Sequence, residues 1–464
     1  MTGRDLEDLR PELGRFLGRF RGCFSDERVR GHFRTFINGQ LSSLPRKSLE
    51  PIADWAGMPP RTLQEFMSLA EWDEERLRDR VREITDMEFG PPRDYGTIGI
   101  LDETSFAKKG DKTACVQRQY CGCTGKVDNC VQSIHLSYAN GDDHVLIDGD
   151  LYLPESWDQD RARCRAAGIP DDVVYRPFYK IALEEVRRAL DGDIRLDWIT
   201  ADERYGRVIA FLEGLEDLGK RYVLEVPTDF RGWCFAPTVW TEEPDPGRMG
   251  PPRHYPRLAD GTPPSRTVAH HLRYSKTFQR QPWIPYHVKD SENGPEIWEV
   301  KAAPFYQDRH GLSFGPLWLV VARNVLDGQL KFFVAHAPPG TPLEVILWIA
   351  FSRWHVERCF EDEKDEIGMD HFEVRKYGSI RRHLFLSMVS HLFLALQRKR
   401  LRGEKPGHHR LPDANGHERL ALHSGSTPEH SAEASRTDSR TARRNAEAQH
   451  RSKTRSHENQ VPRT

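Results

Sequence analysis

No stretch of this sequence approaches the roughly 20 consecutive apolar residues that a membrane-spanning helix needs. Its opening, MTGRDLEDLRPELGRF, has no apolar segment of the kind a secretory leader carries. A cytoplasmic protein with no membrane partner is therefore expected. Net charge is nearly absent too: 68 Lys and Arg stand against 70 Asp and Glu, leaving −2. A uniformly basic nucleic-acid binder is excluded, and any DNA-binding surface must be a local patch. Paired C-x2-C spacing is missing. Four of the eight cysteines crowd together at Cys115, Cys121, Cys123 and Cys130, but their spacing departs from that of common zinc modules. Without a secretory signal, disulfides are not expected. Reduced structural thiols are the first reading and a zinc site the alternative. Aromatic residues end at Phe393. Beyond about Arg400 the chain is rich in Ser, Arg, His and Glu and holds seven of the twenty histidines, scattered without ligand spacing. Residues 399–464 are expected to be a disordered tail, because they cannot bury enough apolar area to offset chain entropy.

What remains is ample for two or three domains: 464 residues, 38% of them hydrophobic. Residues 1–89 read as helical, with Leu9, Leu13, Phe16 and Phe20 at helical spacing and a second apolar set at Phe33, Phe36 and Ile37. Ser48 to Asp73 reads as helix, tight turn, helix. Ala53, Gly57 and Leu63 sit where a helix-turn-helix needs a small contact, a turn glycine and a core residue. Arg61, Thr62 and Gln64 would then face outward, toward DNA; an ordinary helical hairpin is the alternative.

After a linker at 89–96 the pattern changes to strands. Thr97–Leu101 is a short apolar strand ending in Asp102. Cys130–Ala139 and His144–Leu153 flank an Asn140-Gly141 hairpin turn. A helix over 178–190 precedes the strand Leu196–Thr200, which ends at Asp202; a helix over 208–218 and the strand Tyr222–Val226 follow. This order over 97–227 suggests an α/β fold, a mixed sheet with flanking helices. Residues 228–340 read as an irregular, β-rich insertion, with strands at Leu317–Arg323 and Leu330–Ala335. One long helix from Leu343 to about Ile367 and another from Ile380 to Gln397 make up 341–398.

Cutting a phosphodiester needs a nucleophilic oxygen and a stabilised leaving oxygen, and two magnesium ions supply both. Magnesium prefers hard oxygen donors, so carboxylates from distant parts of the chain must converge. Asp102 in GILDETSFAKKG and Asp202 in WITADERYG stand at strand ends, where open sheets place ligands. Each could equally be a turn residue or helix cap. Glu103 should point to the opposite face if its strand continues. Lys108 and Lys109 could meet phosphate or be a solvated turn. In RWHVERCFEDEKDEIG, Glu357 lies about 40° around a helix from Arg353, and Lys364 about 20° from Glu357, so the three share a stripe. Ile349, Val356 and Phe360 would anchor it. A solvated salt-bridge face is the alternative.

The spacing R-x3-E-x6-K at Arg353, Glu357 and Lys364 resembles the signature of insertion-sequence DDE transposases with a ribonuclease H-like core. The blocks LDETSFAKKG, RQYCGCTGKVDNC, LYLPESW, ITADERYG, RWHVERCFEDEKDEIGMDHFE and LPRKSLEPIADWAGMPPRTLQEF resemble the branch named for insertion sequence seven-oh-one, over about Leu13 to Gln397. The resemblance implies that Asp102, Asp202 and Glu357 are catalytic and hold two Mg2+ (or Mn2+) ions, and that Arg353 and Lys364 contact DNA near the cleaved phosphate. It implies a bacterial, nucleoid-associated protein that binds double-stranded DNA, both terminal inverted repeats and target, as a homodimer in the complex. Ala350 stands where the broader signature has a tyrosine, and the loss of aromatics near Arg400 suggests a frameshifted or fused terminus. Two alternatives stay open: an impaired remnant that only binds DNA, and a helix-turn-helix regulator. Limited proteolysis is expected to remove the tail beyond about Arg400 first; a tail as resistant as the sheet would count against disorder.

Overall fold

The computed structural model describes residues 3–92, 95–241, 255–291 and 294–404. They fall into two compact units, one of residues 3–220 with 352–404, the other of residues 221–351. The tail expected to be disordered lies outside the described residues from 405 onward. Among the described residues no helix is long and apolar enough to cross a membrane.

In the first unit, five helices open the chain: α1 Gly3–Gly18, α2 Glu27–Gln40, α3 Leu49–Trp55, α4 Pro60–Ser68 and α5 Glu74–Phe89. Asp26 and Asp73 cap α2 and α5 by accepting from Val29 N and Arg76 N, each at 2.8 Å, which satisfies amides that have no partner within the helix. The sheet contains β1 Ile98–Ala107, β2 Gln117–Cys121, β3 Lys126–Asn140, β4 Asp143–Leu151 and β5 Trp198–Ala201. β1 runs antiparallel to β3 and parallel to β5, while β2 and β4 pair with successive parts of β3. Helices α6 Phe178–Asp191, α7 Glu203–Gly206 and α8 Ile209–Asp217 flank β5 in sequence, and α9 Trp354–Glu361 and α10 Tyr377–Glu404 return later. This is the mixed α/β, ribonuclease H-like architecture that the motifs imply.

Two sequence expectations need revision. β1 does not stop at Asp102 but continues to Ala107, because β3 pairs with it along its whole length. The long helix expected over 343–367 is three pieces. Leu343–Phe351 ends before Ser352, α9 follows, and Asp362–Ile367 forms a wider π-helical turn closed by Gly368 at φ 76°. The outer helix faces were read as one stripe because periodicity carries no record of such local changes of pitch.

The N-terminal helices and the sheet share α10. Phe16 packs on Phe393 with ring centroids 5.4 Å apart. The buried Gln40 amide donates to Ser387 Oγ at 2.9 Å and accepts from Ser390 Oγ at 2.8 Å. A buried charge cage ties α5 and α6 to β4. Arg82 donates to Asp148 at 2.8 Å, Arg188 at 3.0 Å and Arg78 at 3.2 Å, and Arg188 also reaches Asp150 at 2.8 Å. The three guanidiniums hold the fully buried Asp148 carboxyl below its usual range despite desolvation.

In the second unit, β6 Arg221–Val226, β7 Arg231–Trp233, β8 Ile284–Ser291, β9 Gly294–Arg309, β10 Leu312–Asn324 and β11 Leu330–His336 form antiparallel ladders. Within the insertion read as irregular and β-rich, Ile284–Ser291 and Gly294–Arg309 are long regular strands that the sequence reading did not assign. Prolines masked them: Pro285, Pro295 and Pro304 all lie inside strands, where proline normally argues against strand. Helix Leu343–Phe351 packs here, Phe351 meeting Trp298 at 5.2 Å and Phe333 at 5.7 Å.

Asp148→Ala is expected to destabilise the chain by about 3 kcal/mol in urea unfolding, because it removes the buried carboxylate that three arginines share. A loss under about 1 kcal/mol would mean that the cage is compensated elsewhere.

Candidate active site

The parallel ladder between β1 and β5 ends at the rung Leu101–Ala201. Asp102 and Asp202 are the next residue on each chain. Adjacent strands lie about 4.8 Å apart, so register alone brings these two acids together from a hundred residues apart. Asp102 remains within β1, opposite His135 of β3. Asp202 leaves its strand and caps α7, accepting from Arg204 N at 3.0 Å. The cap role foreseen for Asp202 is therefore real and coexists with its place beside Asp102.

The third acid comes from α9. His355, Val356, Cys359 and Phe360 are buried on this helix, and Phe360 packs on His135 at 5.5 Å. The apolar side thus faces the sheet and leaves Glu357 half exposed. Arg353, just before the helix, spans two acids: its Nη1 lies 3.1 Å from Asp102 Oδ2 and its Nη2 2.5 Å from Glu357 Oε1. Those contacts and the width of one guanidinium limit the separation of the two bridged oxygens to about 8 Å. Among the described residues, no group of three or more His, Cys, Asp or Glu side chains stands close enough to hold a metal ion as placed. Glu357 is turned to Arg353 instead.

Burial and the neighbouring Glu103 push Asp102 up to about 8, with Asp202 adding to the rise and Arg353 opposing it. Asp202 is pushed up to about 6 by burial and Glu103, again against Arg353. Crowded carboxylates in a poorly solvated place resist ionisation together. Such a donor set, hard oxygens short of positive charge, fits a divalent cation in chemistry.

Lys364 sits in the π-helical turn, off the straight stripe read from spacing, with its amine 5.9 Å from the centre of the Phe106 ring. Lys108 donates to the Phe372 carbonyl at 2.8 Å and lies 3.3 Å from the centre of that ring; burial lowers its amine to about 8. Lys109 is exposed. Far along the chain, Gly57 takes the left-handed conformation (φ 66°) in the turn between α3 and α4. Arg61 and Gln64 are exposed on α4, Arg61 pairing with Glu65 at 2.8 Å, and Thr62 is half buried. The cysteines do not form one centre. Cys115 is buried in an apolar cluster with Cys164, whereas Cys121 and Cys123 approach to 3.2 Å at the β2–β3 turn. All are free thiols.

Glu103, Arg204 and Tyr205 also stand at the site, and the motif reading left them without a role. Glu103 ion-pairs with Arg204 and accepts from Tyr205 Oη at 3.3 Å. The only sequence signal for this was the pairing of two adjacent acids in LDET with ADERYG.

Comparison with known proteins gives the family. A family model described as DDE superfamily endonuclease matches residues 19–295, and the chain belongs to that superfamily, whose members typically use divalent metals. A protein described as "Probable transposase for insertion sequence element IS701", from Microchaete diplosiphon, is 29% identical over 372 residues, 78% of this chain and 81% of that protein. The family match includes Asp102 and Asp202; Glu357 lies beyond it.

Both aspartates hold protons more tightly folded than unfolded, so their ionisation subtracts stability as pH rises above the ordinary carboxylate range. In chelator, Asp102→Asn is therefore expected to melt above wild type in scanning calorimetry, by more at about pH 8 than at about pH 5. An equal gain at both, or a loss, would contradict the crowding.

Proposed function

We propose that this chain is a DDE transposase that binds the terminal inverted repeats of an insertion sequence, cleaves DNA at them with a divalent metal, and joins the ends to target DNA. The observation that carries the reading is the rung Leu101–Ala201, which delivers Asp102 and Asp202 side by side, with Arg353 linking Asp102 to Glu357.

Asp102, Asp202 and Glu357 would hold two Mg2+ or Mn2+ ions, which when bound activate the nucleophile and stabilise the leaving oxygen. Glu357 is the mobile member, half exposed and tied only through a flexible side chain to Arg353. A cation and Arg353 compete for the same oxygens of Asp102 and Glu357. Arg353 released from them keeps a fork of donors suited to phosphate, so DNA backbone is its natural alternative partner. Lys364 adds a point charge near the cleaved phosphate. Lys109 faces solvent and can meet backbone directly, whereas Lys108 does so only on leaving the Phe372 carbonyl.

Repeat recognition is assigned to α4. Arg61 and Gln64 point outward with donors fit for base edges, and Thr62 sits at the margin of the same face. Cleavage at two element ends calls for two copies, so a homodimer is expected in the DNA complex.

The test uses purified protein and DNA carrying the element's inverted repeat. Mg2+ or Mn2+ is expected to support cleavage and chelation to abolish it. Asp102→Asn, Asp202→Asn and Glu357→Gln should each cut at rates lower by orders of magnitude while repeat binding persists, since binding rests on α4 and the basic residues. Wild-type protein that binds repeats but nicks with neither metal would establish a binding remnant instead.

A further inference from the structure

The backbone ladder that aligns Asp102 with Asp202 stops one residue short of both. Past that rung, β1 goes on beside β3, while the other chain turns away into α7, only four residues long. Asp202 therefore sits on a short turn with no strand pairing of its own to β1. Glu103 supplies side-chain ties across this opening. One carboxylate oxygen ion-pairs with Arg204 and the other accepts from Tyr205 at 3.3 Å, and these are the two consecutive residues after Glu203 in α7.

Both partners pack on aromatic rings. The Arg204 guanidinium lies 4.0 Å from the centre of the Phe178 ring. Tyr205 is almost fully buried and packs on Phe211 with centroids 5.5 Å apart. Glu103 is thus tied at two points to α7, one of them through a buried tyrosine. Glu103 is itself mostly buried while Arg204 is 43% exposed, so the buried Tyr205 hydroxyl is the firmer of the two ties. With Glu357, four carboxylates then face two guanidiniums, Arg353 and Arg204. The balance of charge is negative, as a divalent cation requires.

We propose that Glu103 is a positioning residue: through Arg204 and Tyr205 it clamps α7 to β1, holds Asp202 in register with Asp102, and so organises the pair for a divalent cation. This rests on the reading of Asp102 and Asp202 as metal-holding acids. A residue that orients ligands from behind alters metal affinity by about 10-fold or more when lost, whereas a residue serving only the fold alters melting and leaves the affinity of the folded molecules unchanged.

The experiment is Mn2+ binding to the full chain by titration calorimetry, with melting temperature recorded for each variant. Glu103→Ala is expected to weaken Mn2+ binding about 10-fold. Glu103→Gln keeps an acceptor for Tyr205, and Tyr205→Phe keeps the Arg204 ion pair, so each should weaken binding by a smaller factor of about 3. These two conservative variants carry the test if Glu103→Ala does not fold. Wild-type affinity in all three variants overturns the proposal. So does a result in which Glu103→Gln is as damaging as Glu103→Ala while Tyr205→Phe is silent, since that is the pattern of a direct ligand. Asp102→Asn and Asp202→Asn serve as controls. If they bind Mn2+ as wild type does, the metal-site reading falls and this proposal with it; if they lose binding while the Glu103 variants do not, only the Glu103 role falls.

Discussion

Everything at the site depends on one rung of backbone hydrogen bonding. Parallel strands β1 and β5 pair as far as Leu101 and Ala201, and the next residue on each is an aspartate. Two carboxylates are thereby brought together in a poorly solvated place. Burial first, and Glu103 second, raise their proton affinity. Positive charge must be drawn in, and Arg353 is the group that answers, reaching Asp102 and Glu357 at once. The proposed divalent-cation site would need such a pair of acids, with a protein cation that can yield to the metal.

The sheet that carries the rung is tied to its flanking helices by buried groups. The cage of Arg78, Arg82 and Arg188 about Asp148 and Asp150 binds α5 and α6 to β4. On the other approach, α9 buries Val356, Cys359 and Phe360. Its continuation into a π-helical turn places Glu363 wholly inside, 3.3 Å from His391 of α10; burial raises the proton affinity of that carboxyl. The two aspartates thus lie in the sheet and its first turn, while Glu357 stands half exposed on α9.

The bland readings of these residues were not wrong so much as incomplete. Asp202 is a helix cap, and Arg353 with Glu357 is an i,i+4 ion pair of the ordinary surface kind. What removes them from the ordinary is convergence. A cap and an ion pair that meet the same buried aspartate serve more than local structure.

Sequence alone determined the chemistry types and their local settings. Asp102 and Asp202 beside apolar strands, the R-x3-E-x6-K spacing, the helical pairs around Gly57 and the change of composition near Arg400 are all short-range patterns, and periodicity records those faithfully. Two strands of the β-rich insertion, Ile284–Ser291 and Gly294–Arg309, went unassigned because Pro285, Pro295 and Pro304 sit within them, tolerated at places that only the ladders reveal. Tertiary structure decided the rest. Whether Asp102 ends a strand or continues it depends on β3. Whether Lys364 shares the stripe of Glu357 depends on a change of helical pitch. Glu103 acquires a partner only when β5 delivers Arg204 and Tyr205 beside it. Each is set by contacts between residues far apart in the chain, and local patterns carry no information about register, pitch or which distant charge will stand opposite.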